Sequence, residues 1–116
     1  MSVKMYHNPR CSTCRQTMAL LGEKGVEPEV IEYLETPPSE AELKEILEML
    51  GIKPRDLMRK KEKIYKELEL SDESLPDHAL IMAMVNHPQL IERPIVIKDG
   101  KAIIGRPPEL VLELVS

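Results

Sequence analysis

The 116-residue sequence predicts an α/β fold in which a β–α–β half and a β–β–α half are separated by an all-helical insertion over about 39–90. Three observations carry this. A short apolar run, a helical pattern and a second apolar run open the chain. Asp99-Gly100 sits between two apolar runs near its end, a strong two-residue hairpin signal. Between these halves the apolar residues keep helical spacing.

Val3 to Tyr6 reads as the first strand, broken by His7-Asn8-Pro9. From Ser12 to about Lys24 the pattern turns helical, with Thr17, Leu20 and Leu21 on one face and Gly22 and Gly25 at its far end. Pro28 to Leu34 reads as a second strand, which a right-handed crossover places parallel to the first. Ser39 and Glu42 form a capping box ahead of Leu43, Ile46, Leu47 and Leu50, and Gly51 is a suitable stop. Pro54 opens a short helix carrying Leu57 and Met58, with Arg59 on its polar side. Asp77 is placed to cap a further helix with an inward stripe of Leu80, Ile81, Met84 and Val85, ended by His87-Pro88. Ile95–Lys98 and Lys101–Ile104 form the hairpin, and Pro107-Pro108 start a closing helix that packs through Leu110, Val111 and Leu114. This order is that of a single thioredoxin-like domain, 1–116, carrying a helical insertion.

Composition narrows the function. Hydrophobic residues at 42% and charged residues at 31% suit a folded globular chain, not an extended disordered one. There is no Phe or Trp and only three Tyr, so the core is aliphatic, with seven Met to fill gaps. A net charge of −4, no long basic run and few aromatics argue against nucleic-acid binding. No stretch is long and apolar enough for a membrane span, and the N-terminus turns polar too early for a signal peptide. A cytoplasmic monomer is expected. In that compartment a close pair of cysteines reads as catalytic or metal-binding rather than as a structural staple.

The chemistry gathers at the first strand-to-helix junction. Cys11 stands where a helix begins, facing unpaired backbone N–H groups and the positive end of the helix dipole. Both favour a thiolate, and the flanking Arg10 and Arg15 push the same way. The same first-turn N–H groups, at Ser12 and Thr13 with Asn8 in the loop before them, suit an oxyanion. Cys11-Ser12-Thr13-Cys14 beside a β–α–β pattern reads as a redox motif. It is also half a zinc site, but His7, His78 and His87 match no zinc spacing, so no metal is expected. His7 either tunes Cys11 or simply caps the loop.

Tyr6-His7-Asn8-Pro9-Arg10-Cys11 followed by Ser12-Thr13-Cys14-Arg15 resembles the active-site loop of the glutaredoxin-dependent arsenate reductases. The likeness continues through Tyr33–Pro38, Leu57–Lys61, Glu92–Val96 and Gly105–Glu109, so it spans nearly the whole chain and is nearest to the short family members. It implies a cysteine nucleophile at Cys11 and three oxyanion-binding arginines at Arg59, Arg93 and Arg106. It also implies a cis bond at Arg93-Pro94, a conformation that only about 5–6% of X-Pro bonds adopt. The implied reaction is attack of Cys11 on arsenate, helped by His7, with glutathione as co-substrate, glutaredoxin as partner and no bound cofactor. One departure stands out: studied members have serine where this chain has Cys14, which is therefore a candidate resolving thiol. Two rival functions remain. One is a redox-responsive regulator binding RNA polymerase through a Cys11-Cys14 switch, and the other is a general glutaredoxin-like oxidoreductase.

Overall fold

The structure is a computed structural model that describes residues 2–115. The chain divides into two compact units, one formed by 1–36 with 93–116 and the other by 37–92.

The first unit is built on a four-stranded sheet in the order β2-β1-β3-β4, comprising β1 (Val3–His7), β2 (Glu29–Glu32), β3 (Ile95–Lys98) and β4 (Lys101–Ile104). β1 pairs parallel to β2 and antiparallel to β3, and β3 and β4 form the antiparallel hairpin. Helix α1 (Ser12–Glu23) is the crossover from β1 to β2. At the hairpin tip Asp99 (φ 50°) and Gly100 (φ 77°) both take positive φ, the conformation required by a type I′ turn and the reason Asp-Gly marks it.

Side chains alternate along β1, so Val3, Met5 and His7 share one face. Val3 and Met5 join Cys11, Cys14 and Leu21 from the α1 segment, together with Val96 and Val111, in one buried cluster. The closing segment is a 3₁₀ turn over Pro108–Val111 followed by a short α-helix, Leu112–Val115. The 3₁₀ start changes its inward face: Val111 is fully buried, whereas Leu110, expected inside, is 37% exposed. The second strand is shorter than Pro28–Leu34 and lies at the sheet edge, with Val30 exposed.

The second unit is helical. α2 (Glu40–Leu50) carries the capping box in full, Ser39 accepting from the Glu42 N–H at 3.2 Å and Glu42 accepting from the Ser39 N–H at 3.0 Å. Gly51 ends α2 in the left-handed conformation (φ 68°). Pro54–Leu57 is a 3₁₀ turn, and Arg59 lies beyond it rather than on a helix. α3 (Lys63–Glu67) has no counterpart in the sequence reading. α4 (Asp77–Asn86) begins one residue early, with Pro76 at the cap and Asp77 as its first helical residue, so Asp77 supplies favourable first-turn charge rather than a cap. A 3₁₀ turn, Pro88–Leu90, follows. Leu43, Ile46 and Leu47 of α2 and Leu80, Ile81 and Met84 of α4 are buried, and the two helices pack together. Two backbone bonds strap 57–59 to 90–92: Arg59 N–H to Leu90 O at 2.7 Å and Glu92 N–H to Leu57 O at 2.8 Å.

Candidate active site

The loop from β1 to α1 is held by short-range bonds that follow from its residues. Asn8 Oδ1 accepts from the Arg10 N–H at 3.0 Å, an Asx turn. The Cys11 N–H donates to Asn8 O at 2.9 Å, and Cys11 O accepts the first helical bond from Arg15. Cys11 is thereby the N-cap of α1, with extended dihedrals (φ −89°, ψ 121°).

Arg106 reaches this sulfur, its Nη2 lying 3.6 Å from Cys11 Sγ. Its Nε donates to Arg93 O at 2.6 Å, which fixes the fork relative to the neighbouring arginine. Cys11, Arg93 and Arg106 are thus brought together although 82 or more residues of chain separate Cys11 from the two arginines. The Arg93–Pro94 bond is cis, as the resemblance implied, and Arg106–Pro107 is cis as well.

Gly105 explains why Arg106 sits where it does. A Cβ at this position would lie 2.9 Å from Pro94 Cγ, 3.0 Å from Thr17 Oγ1 and 3.2 Å from Val111 Cγ1. Only a glycine lets the backbone come this close, and its N–H donates to Pro94 O at 2.9 Å. Thr17 on α1 is fully buried, its hydroxyl donating to Thr13 O at 2.9 Å. Sequence reasoning gave neither residue a part in the site. Their signal lies in the Gly105 and Pro94 positions flanking the two arginines, which spacing alone does not link.

The electrostatics of the two cysteines diverge. Burial works against ionising Cys11, but the Cys14 backbone N–H, hydrogen bonds from Arg93 and the Cys14 thiol, and the Arg93 charge outweigh it, lowering its pKa to about 7. Cys14 is pushed up to about 12, chiefly by burial and by the Cys11 thiolate beside it, against a bond from the Asn8 backbone N–H. The first proton lost by the pair therefore leaves Cys11. The cation that lowers the Cys11 pKa is Arg93, not Arg10 or Arg15. Arg15 instead donates to Pro9 O at 2.8 Å and ties down the loop.

His7 is buried, and burial, opposed by Glu32 and aided by Arg15, lowers its pKa. His7 is not among the groups that lower the Cys11 pKa, which are the Cys14 backbone N–H, the Cys14 thiol and Arg93. Its Nδ1 has no hydrogen-bond partner among the described residues. Ser12 and Thr13 open α1. Arg59 belongs to the helical unit, where its Nη2 lies 3.8 Å from Glu62 Oε2. Its Nη1 is shielded from solvent with no hydrogen-bond partner among the described residues. Among the described residues no group of three or more His, Cys, Asp or Glu could hold a metal ion, and no helix is long and apolar enough to cross a membrane.

The sequence was compared with known proteins. A protein of Escherichia coli K12, YfgD, which is uncharacterised, is 61% identical over 98% of this chain and 97% of its own length. An arsenate reductase of Haemophilus influenzae is 50% identical over 98% of this chain and 99% of its own length. The solved structure of an arsenate reductase from Vibrio cholerae matches with a TM-score of 0.95 at 57% identity, covering 97% of each chain. Residues 6–114 match the ArsC family, and this chain belongs to that family.

Proposed function

We propose that the chain is an arsenate reductase in which the Cys11 thiolate attacks arsenate bound by Arg59, Arg93 and Arg106. The observation that carries this is Cys11 Sγ, with its pKa lowered to about 7, 3.6 Å from the Arg106 guanidinium and hydrogen-bonded by Arg93. A thiol that only needed to be a buried apolar group would gain nothing from two guanidinium groups. A thiol that must meet a tetrahedral oxyanion gains both a charge match and planar donor forks. The shielded Nη1 of Arg59 supports an anion-binding part for that arginine, because an anion oxygen would supply the missing acceptor. The relatives named as arsenate reductases in Haemophilus influenzae and Vibrio cholerae support the substrate.

In this reading arsenate docks with its oxygens on the three arginines and the first-turn N–H groups of α1, near Asn8, Ser12 and Thr13. Cys11 sulfur forms a bond to arsenic and an arsenate oxygen leaves as water. The arginines offset the charge that develops on the remaining oxygens. Glutathione attacks the thiol-bound arsenic, glutaredoxin supplies the second reducing equivalent, arsenite leaves and the thiolate returns. External thiols carry the electrons, so no metal or organic cofactor takes part. The chain works as a cytoplasmic monomer.

The test is arsenate-dependent NADPH consumption in a coupled assay with glutathione, glutathione reductase and glutaredoxin. Wild type turns over, and Cys11→Ser lowers the rate by at least about a thousandfold. A folded wild type with no arsenate turnover would overturn the proposal and leave general thiol–disulfide exchange or polymerase binding as the function to pursue.

A further inference from the structure

Cys14 is a buried nucleophile that the mechanism above leaves unused. We propose that Cys14 is the resolving thiol of this chain: once arsenic is bonded to Cys11, the Cys14 sulfur attacks the Cys11 sulfur, closing a disulfide and releasing arsenite without an external thiol. The inference rests on the arsenate reading of the Cys11 site.

Placement is the first argument. Cys11 caps α1 and Cys14 is the third residue of the same first turn, a spacing that puts the two side chains on one side of the helix. Both are free thiols, both belong to the same buried cluster, and they are hydrogen-bonded to each other. The extended N-cap dihedrals leave Cys11 outside the helix proper, so its side chain is free to turn toward the turn that follows.

Access is the second. Cys14 has 0% of its surface exposed, whereas Cys11 has 8%. An external thiol or arsenate meets Cys11 first, and the redox partner within reach of Cys14 is Cys11.

Charge supplies the timing. While Cys11 is a thiolate it holds the Cys14 proton in place, because Cys14 S–H donates to it and a second negative sulfur alongside is unfavourable. When the Cys11 sulfur is bonded to arsenic, that hindrance ends. The Asn8 backbone N–H and the Arg93 charge, which favour the Cys14 thiolate, stay in place. Cys14 thus becomes easier to ionise at the stage where its nucleophilicity is needed.

The step balances. The Cys11 sulfur–arsenic bond breaks with its electron pair going to arsenic, which passes from arsenic(V) to arsenic(III). The Cys14 sulfur supplies the pair for the new sulfur–sulfur bond, and its proton ends on the departing arsenite. Two electrons from glutathione or an external dithiol then reopen the disulfide through ordinary thiol–disulfide exchange.

The experiment is a single turnover of the reduced full chain with arsenate under anaerobic conditions, with no added thiol. Arsenite is measured by chromatography, and the protein by intact mass and peptide mapping. Wild type is expected to release one arsenite per chain, lose two hydrogens in mass and yield a Cys11–Cys14 disulfide peptide. Cys14→Ser and Cys14→Ala, each shown folded by circular dichroism, are expected to release none until glutathione and glutaredoxin are added. Wild type that keeps both thiols and releases arsenite only with glutathione and glutaredoxin overturns this inference and leaves the arsenate reading standing. Release from the Cys14 variants without glutathione also overturns it. No arsenite with or without glutathione and glutaredoxin overturns both.

Discussion

The α/β unit and the helical unit each commit arginines to specific tasks, and the two units do so in different ways. In the α/β unit Arg106 is locked by its own Nε bond to Arg93 O and points Nη2 at a sulfur that needs a cation. In the helical unit two arginines four residues apart behave oppositely. Arg55 spends its guanidinium on the protein: Nη1 donates to Tyr65 Oη at 3.0 Å and to Leu70 O, and Nη2 donates to Asp72 O at 2.9 Å. It staples the segment after α3 to the 3₁₀ turn. Arg59 keeps one long ion pair with Glu62 and a shielded Nη1 with no acceptor among the described residues. An arginine whose donors end on backbone carbonyls is structural, whereas a shielded donor left over is hydrogen-bonding capacity that the described residues do not use.

That contrast is open to attack by mutation. The largest effect is expected from Arg93→Ala, which removes a hydrogen bond and a charge from Cys11. Arsenate turnover should fall by about a hundredfold, and the Cys11 pKa, followed by thiolate absorbance, should rise from about 7. The sign follows from the reactive form. In wild type kcat/KM rises with pH as Cys11 ionises and levels off above about 7, and in Arg93→Ala the rise moves to higher pH. An unmoved profile would mean that the helix N-terminus alone sets the thiolate.

Next comes Gly105→Ala. Its Cβ has Pro94, Thr17 and Val111 within 3.2 Å, so overpacking should cost about 1–3 kcal/mol in a urea titration, and turnover should fall as Arg106 shifts. A variant as stable and active as wild type would show that the backbone there is not held close.

The arginine pair of the helical unit gives a crossed result. Arg55→Ala should lose about 2 kcal/mol of stability, because the Leu70 and Asp72 carbonyls lose their donor. Arg59→Ala should change stability by about 0.5 kcal/mol or less yet lower arsenate turnover at least about tenfold. Matching stability losses in the two variants would erase the distinction. The smallest effect is expected from Ser39→Ala, about 1 kcal/mol from the broken capping box, with kcat unchanged.

Legibility in the sequence tracks the range of the interaction involved. The β–α–β opening, the capping box at Ser39, the Gly51 stop and the Asp99-Gly100 turn were all readable, because each is written in residues within a few positions of one another. The short helices were less so. α3 has five residues, too few for a periodic pattern to stand out, and the 3₁₀ start of the closing segment turned Leu110 outward where an α-helical count put it inside. The candidate nucleophile was readable at Cys11 for the same local reason, a cysteine at a helix start.

What the sequence by itself determined is therefore the element order, the helix caps and turns, and a thiol placed at a helix N-terminus. Only the tertiary structure decided which cation meets that thiol. Arg10 and Arg15 are its neighbours in sequence, yet Arg93 and Arg106 are its partners in space. The structure also decided that His7 is buried, which lowers its pKa, that Cys14 is wholly buried, and that Gly105 is the close contact seating Arg106. The reason is physical: caps and turns are set by bonds within a few residues, whereas desolvation and charge pairing depend on whatever the fold packs alongside, which no local pattern encodes.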